Sequence, residues 1–208
     1  MYLVKTPFWL KLLYPSGIWK IPTSKKVVYL TFDDGPHPEA TPFVLEQLKK
    51  YNAKGTFFCI GKNVLSYAQI YESILSEGHA VGNHTYDHLN GWKSDDIRYL
   101  DNIKSAANLI VTNLFRPPYG RIKFSQIRAL KKHSECPQQI IMWDILSADF
   151  DISLHGDQCA KIVMEKSASG STIVFHDSAK AWDRLKIALP KVLQYFQDNG
   201  YEMALLPL

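Results

Sequence analysis

The strongest constraint on the fold is an alternation between two kinds of segment along the chain. Short apolar runs rich in β-branched and aromatic residues alternate with longer segments in which apolar residues recur at helical spacing. This pattern predicts an α/β architecture with a parallel sheet, and seven strands fit a small barrel. The predicted strands are residues 27–32, 56–60, 80–82, 114–116, 139–143, 172–176 and 202–205, and the predicted helices are residues 41–51, 64–76, 95–113, 124–132, 156–167 and 183–198.

Length and charge indicate one domain without a nucleic-acid partner. A chain of 208 residues has the size of a single ordinary domain. We expect an N-terminal arm over residues 1–24 that packs on a folded domain over residues 25–208. The formal charge of +4 comes from scattered basic residues, which argues against nucleic-acid binding. The sequence does not indicate an oligomeric state.

The apolar N-terminal segment is relevant to where in the cell the protein lies. It is interrupted by lysines and prolines, and no small-residue cleavage site follows it. No run approaches the roughly 18 uncharged apolar residues of a transmembrane helix, so we expect no transmembrane span. These features leave the location open between the cytoplasm and an unconventional association with the cell surface. Shallow membrane contact through Trp9 and Trp19 is the alternative to an arm packed on the domain.

Polar side chains interrupt the apolar runs at the ends of the predicted strands. In parallel β/α folds the carboxyl ends of the strands share one face, so residues far apart in sequence converge there. We expect one site at that face, formed by Asp33, Asp34, His84, His88, Arg116, Asp149 and His176.

Two of these motifs carry candidate metal ligands. Asp33 and Asp34 directly follow a strand and should point in different directions, so one can bind a metal while the other stays free as a base. His84 and His88 are four residues apart, which lets both imidazoles face one point. Two nitrogens and one oxygen, with open positions for water and substrate, form a catalytic zinc site. Each motif alone is also consistent with a polar turn.

Two further strand ends carry candidate catalytic groups. Arg116 ends a strand in the stiff loop Arg-Pro-Pro-Tyr-Gly, which would hold its guanidinium beside Asp33. His176 closes an apolar run and would protonate a leaving amine if it faced the metal. The alternatives are an exposed Arg in a proline-rich turn and a structural His.

In combination these motifs resemble the polysaccharide deacetylase family, also called carbohydrate esterase family 4 or the NodB homology domain. Thr-Phe-Asp-Asp-Gly-Pro, His-Thr-x-x-His, Arg-Pro-Pro-Tyr-Gly, Trp143 with Asp149, and the strand ending in His176 follow the family's order. The resemblance implies a single-domain, distorted (β/α)7 barrel that removes N-acetyl groups from N-acetylglucosamine units of chitin-like glycans or peptidoglycan. It also implies a divalent metal, usually Zn²⁺, with Co²⁺, Ni²⁺ and Mn²⁺ as alternatives.

The resemblance assigns the metal and the base to particular residues. Asp34, His84 and His88 would bind the metal. Asp33 would be the base that activates the attacking water, and Arg116 would orient Asp33.

The remaining assignments concern the acetyl group and the leaving amine. The backbone N–H of Tyr119 would help to stabilise the oxyanion. His176 would protonate the amine, and Asp149 would hold its imidazole. Trp143 and Val174 would line a small apolar pocket for the acetyl methyl group.

One position departs from the family's usual pattern. Phe150 stands where the family usually has Trp, so an aromatic wall is kept and an indole N–H donor is lost. We expect altered substrate fit or rate. Two other functions stay open, an esterase that removes O-acetyl groups from an acetylated glycan and a non-catalytic carbohydrate-binding relative.

Overall fold

The apolar runs of the sequence form the strands of one sheet, in which all paired strands are parallel. The computed structural model describes residues 2–207. The strands are β1 (Gly17–Ile18), β2 (Val27–Asp33), β3 (Gly55–Cys59), β4 (Ala80–Asn83), β5 (Leu114–Phe115), β6 (Gln139–Ile141), β7 (Ile145–Leu146), β8 (Thr172–His176) and β9 (Glu202–Met203).

Helices connect the strands as the alternating pattern predicts. They are α1 (Phe8–Leu13), α2 (Ala40–Lys50), α3 (Gly61–Ser66), α4 (Ala68–Ser76), α5 (Asp96–Ala107), α6 (Phe124–Leu130), α7 (Gly156–Lys166) and α8 (Trp182–Asp198). The predicted helix 64–76 is therefore two helices, and the predicted helix 95–113 ends at Ala107. Beyond the turn that follows α5, the chain bonds to neighbouring strands: the Thr112 hydroxyl donates to the carbonyl of Val81, and the carbonyl of Asn113 accepts the N–H of Gln139.

The order of the strands requires the sheet to curl. Along the sheet the order is β1-β6-β5-β4-β3-β2-β8-β7, with β9 paired to β2. Strands β6 and β7 lie near opposite ends of that order, yet only residues 142–144 join them. Three residues span little more than about 10 Å, so the two ends of the sheet nearly meet. This arrangement confirms the α/β fold with a distorted barrel.

The predicted strand 139–143 is wrong in its second half. β6 ends at Ile141, and the chain then crosses to β7 on the other edge of the sheet. The buried Arg116 side chain donates to the carbonyls of Ile141 and Met142. Those carbonyls therefore bond a side chain that the local sequence pattern does not reveal.

The strand residues alternate between the two faces of the sheet. Along β2, Val28, Leu30 and Phe32 belong to the core between the sheet and the helices. Thr31 and Asp33 point to the opposite face, into the barrel. The barrel interior is filled by an apolar cluster of Val27, Tyr29, Phe58, Leu114, Ile141 and Leu206. The polar residues of the strand ends lie beyond this cluster, at the mouth of the barrel.

The N-terminal arm bonds to both edges of the curled sheet. Leu146 donates its N–H to the carbonyl of Val4, and Thr6 donates its N–H to the carbonyl of Asp144. Strand β1 pairs with β6 at the other edge. The arm thus satisfies backbone groups that the two edge strands would otherwise leave unpaired. Within residues 2–207, no helix has the length and apolar character needed to cross a membrane.

Candidate active site

Strand β2 ends in a turn that presents two neighbouring carboxylates. Asp33 is buried, whereas Asp34 is partly exposed and has a left-handed backbone with φ of 81°. The next residue must be glycine, because a Cβ on Gly35 would lie 2.1 Å from Oδ2 of the buried Asp177. The turn directs the two carboxylates to different partners, as their position at a strand end predicts.

The structure brings together Asp34, His84 and His88. Each offers one ligand atom, and the three atoms lie within 4.8 Å of one another. Oδ1 of Asp34 is 3.2 Å from Nε2 of His88 and 3.6 Å from Nε2 of His84. This oxygen is buried and has no hydrogen-bond partner among residues 2–207. A divalent cation would satisfy the oxygen and both nitrogens, so the three residues fit a metal.

A hydrogen bond fixes the ring of His84. Its Nδ1 lies 2.7 Å from the carbonyl oxygen of Arg116. The carbonyl can only accept, so Nδ1 carries the proton and Nε2 keeps its lone pair towards Asp34. Burial lowers the pKa of His84 to about 4, although the charge of Asp33 opposes this effect. His84 is therefore neutral near pH 7, which is the form that binds a metal.

Arg116 is fully buried and holds Asp33. Its Nη1 donates to Oδ1 of Asp33 at 2.6 Å and to the hydroxyl of Thr31 at 2.7 Å. Its Nε and Nη2 donate to the carbonyls of Ile141 and Met142. Bonds in four directions leave the guanidinium a single orientation, so Asp33 is fixed by a rigid cationic partner.

His176 ends β8 at the same level as Asp33, because the two are Cα partners in the register of β2 and β8. Its Nδ1 lies 2.7 Å from Oδ1 of the fully buried Asp149, whose Oδ2 accepts the His176 backbone N–H at 2.8 Å. Burial alone would lower the pKa of His176. The charge and hydrogen bond of Asp149, helped by Asp34 and Asp33, outweigh burial and raise the pKa to about 9. Nε2 is left to face the site as an acid.

Aromatic residues line the rim of the site. Tyr119 also has a left-handed backbone, with φ of 61°, and its ring centroid is 4.6 Å from that of His88. Trp143 packs against Gly120, where a Cβ would lie 2.6 Å from the indole ring. Phe150 packs edge-on against His176 at 5.4 Å.

Val174 lies deeper than these aromatic residues. It is fully buried, pairs in register with Thr31, and lies two residues before His176 on the same face of β8. The structure therefore places Val174 on the barrel-facing side of the site strands, with Trp143 next to the Tyr119 loop.

Sequence reasoning missed two residues that support the Asp33–Asp34 turn. The buried Asp177 accepts the N–H of Gly35 at 3.1 Å and the hydroxyl of Thr41. Asn63 donates from Nδ2 to the carbonyl of Asp34 at 2.8 Å. Asp177 is adjacent to His176 in the sequence, which was the available signal. Asn63 carries no such signal because it lies on a helix that is 29 residues from Asp34.

The barrel and its mouth define a class of protein, a β/α barrel with a candidate Asp/His/His metal site beside a buried carboxylate and a histidine. The chain belongs to the polysaccharide deacetylase family, because the model of that family matches residues 20–134.

Two relatives align with nearly the whole chain. A peptidoglycan-N-acetylglucosamine deacetylase of Bacillus cereus is 32% identical in an alignment 199 residues long, which covers 92% of this chain and 92% of that protein. A chitooligosaccharide deacetylase of Azorhizobium caulinodans is 29% identical in an alignment 208 residues long, which covers 90% of this chain and 96% of that protein.

A solved structure agrees with the fold over the same extent. The crystal structure of the Bc1960 peptidoglycan N-acetylglucosamine deacetylase, in complex with 4-naphthalen-1-yl-N-oxidanyl-benzamide, superimposes with a TM-score of 0.86 at 30% identity. The match covers 97% of this chain and 95% of that chain.

Proposed function

We propose that this protein is a metal-dependent hydrolase that removes N-acetyl groups from N-acetylglucosamine units of peptidoglycan or a chitin-like glycan. The observation that supports this proposal most is that the candidate base and the candidate acid lie at the same height of the barrel. Asp33 and His176 are register partners on adjacent strands, beside the cluster of Asp34, His84 and His88. A base and an acid beside one metal-binding cluster suit hydrolysis of an amide.

Asp34, His84 and His88 would hold the metal. We propose Zn²⁺, because two imidazole nitrogens and one carboxylate oxygen are typical ligands of catalytic zinc. When bound, the ion would polarise the acetyl carbonyl and make a water molecule more acidic. Co²⁺, Ni²⁺ and Mn²⁺ are alternatives that the same ligands accept.

The chain's own residues would move the protons. Asp33, held by Arg116, would take a proton from the water that attacks the acetyl carbon. His176 would give the proton on Nε2 to the departing amine as the carbon–nitrogen bond breaks, and Asp149 would keep Nδ1 fixed. Tyr119 would supply a backbone N–H to the oxyanion, while Trp143 and Val174 would confine the acetyl methyl group.

The test compares amide and ester acetyl donors. Acetate release is measured from N-acetylglucosamine oligomers, peptidoglycan fragments and acetylated xylan, with the wild type and with Asp33→Asn. Asp33→Asn keeps the size of the side chain and removes the basic oxygen. Release from the N-acetyl substrates that Asp33→Asn abolishes supports the proposal. Release from acetylated xylan alone would assign the site to O-acetyl hydrolysis, and no release from any donor would favour a binding role.

A further inference from the structure

The solvent-facing side of helix α1 is apolar. It has no buried residue, although its sequence Phe-Trp-Leu-Lys-Leu-Leu is almost entirely apolar. A surface helix normally turns such residues towards the core. Here the exposed fractions are 74% for Phe8, 57% for Trp9, 63% for Leu12 and 55% for Leu13.

The only charged residue of α1 points towards the protein. Nζ of Lys11 lies 2.9 Å from Oδ1 of Asp144, a carboxylate that is itself buried. Leu10, next to Lys11, packs against the core cluster that contains Trp19. The polar contact therefore faces inward, and the apolar side chains face outward. Phe8, Trp9, Leu12 and Leu13 are called the outer face of α1 below.

The outer face sits on a fixed support. On one side of α1, Val4 and Thr6 bond to the backbone of β7 and of Asp144. On the other side, Met142 donates its N–H to the carbonyl of Ile18. The outer face is therefore exposed on a helix whose two ends are both held to the folded domain. Trp19, predicted as a second membrane contact, is buried at 6% exposure and takes no part.

The excess of basic over acidic residues lies in the N-terminal segment that contains α1. Residues 1–32 contain five lysines and no Asp or Glu, whereas the whole chain carries 24 Lys and Arg against 20 Asp and Glu. The net charge of +4 thus comes from this segment alone. Lys11 is neutralised by Asp144. The lysines that remain are Lys5, Lys20, Lys25 and Lys26.

We propose that the outer face of α1 docks on the surface of an anionic phospholipid bilayer. An apolar face carrying Trp and Phe, on an N-terminal segment that has five lysines and no acidic residue, has the chemistry that binds the boundary between headgroups and acyl chains. A second copy of this chain fits less well, because a twofold contact would bring two lysine-rich, acid-free segments together.

The same arm reaches the active site. The ring of Tyr2 packs edge-on against Phe150 at 5.0 Å, and Phe150 packs against His176. Six residues separate Tyr2 from Phe8, a span of at most about 20 Å. Tyr2 therefore links the arm that carries α1 to the aromatic rim of the site. This inference does not depend on the proposed deacetylase activity, because lipid binding is measured separately.

The experiment is co-sedimentation of the full chain with vesicles. One set contains phosphatidylcholine alone and the other contains phosphatidylcholine with phosphatidylglycerol. The test variant is Phe8→Ser with Leu12→Ser. The matched control is Ile97→Ser with Val111→Ser, two side chains that are 75% and 91% exposed outside the arm. A charge variant, Lys25→Gln with Lys26→Gln, tests the lysines.

We expect the wild type to bind the anionic vesicles and the control to bind equally well. The Phe8/Leu12 variant should bind at least about tenfold more weakly. The lysine variant should also lose affinity, and raised salt should weaken binding of the wild type. The midpoint of urea unfolding should be unchanged in the Phe8/Leu12 variant, which shows that it is folded.

Three results would overturn the proposal. They are no binding of the wild type to anionic vesicles, equal binding of the Phe8/Leu12 variant, and a lipid-free dimer that this variant abolishes. If that variant does not fold, docking through α1 is tested instead by the quenching of tryptophan fluorescence by brominated lipid. Lipid should quench the wild type, and Trp9→Phe should remove most of that quenching. Equal quenching in Trp9→Phe would contradict docking through α1.

Discussion

Replacing Asp149 by Asn tests whether this carboxylate makes His176 an acid. The pKa of His176 is raised from 6.5 to about 9, mainly by Asp149 acting against burial. Asparagine keeps a carbonyl oxygen for the Nδ1–H of His176 and removes the charge. The pKa of His176 should then fall, because burial lowers it and only Asp34 and Asp33 remain to oppose burial. The high-pH limb of kcat/KM should move to lower pH.

The size of the effect depends on pH. At pH 8, an imidazole with a pKa of about 9 is roughly 90% protonated, and one with a pKa of about 6.5 is roughly 3% protonated. Acetate release by Asp149→Asn should therefore be on the order of tenfold or more below the wild type at pH 8. At pH 6 more of the variant imidazole is protonated, so the deficit from this cause should be much smaller.

The assay is the pH profile of kcat/KM for acetate release between pH 5 and 10. The matched control is Asp151→Asn, which removes the same charge two residues away, at an exposed carboxylate that bonds the hydroxyl of Tyr2. Its profile should follow the wild type. A deficit of Asp149→Asn that is equal at pH 6 and pH 8 would refute the assignment, because it would separate Asp149 from the protonation of His176.

Three further predictions concern the support of the site, and urea unfolding measures each of them. Arg116→Ala should lower the free energy of unfolding by about 3–5 kcal/mol, since it leaves Asp33 buried without its partner; an unchanged midpoint would contradict this. Gly35→Ala should cost about 1–3 kcal/mol, because its Cβ would meet Asp177 at 2.1 Å, and wild-type stability would argue against that contact. Asp177→Ala should cost about 1–3 kcal/mol, as Thr41 and the N–H of Gly35 lose an acceptor, and Asp177→Asn should cost less.

The sequence predicts the convergence of the site because strand ends meet at one face. The apolar run before Asp33 and the run before His176 are both strands, and parallel pairing then makes these two residues register partners. This part of the site therefore follows from one rule, that the carboxyl ends of parallel strands lie at the same face of the sheet.

Contacts over long separations are not predicted by the sequence. Lys11 bonds Asp144 across 133 positions, and this contact inverts the usual orientation of α1. Arg116 bonds the carbonyl of Ile141 across 25 positions, at the residue where β6 ends although the predicted strand continued to residue 143. Local periodicity shows which residues are apolar. It does not show which distant residue a polar side chain will bond once the chain has folded.

The central claim is that a metal held by Asp34, His84 and His88 is required for removal of N-acetyl groups. The most direct measurement is acetate release from N-acetylglucosamine oligomers by metal-stripped protein as Zn²⁺ is added, with bound metal measured in the same samples. Release by the wild type should rise with Zn²⁺ up to one ion per chain, and Asp34→Ala should neither bind the ion tightly nor release acetate. Full release by the metal-free wild type would contradict the claim, and so would full release by Asp34→Ala.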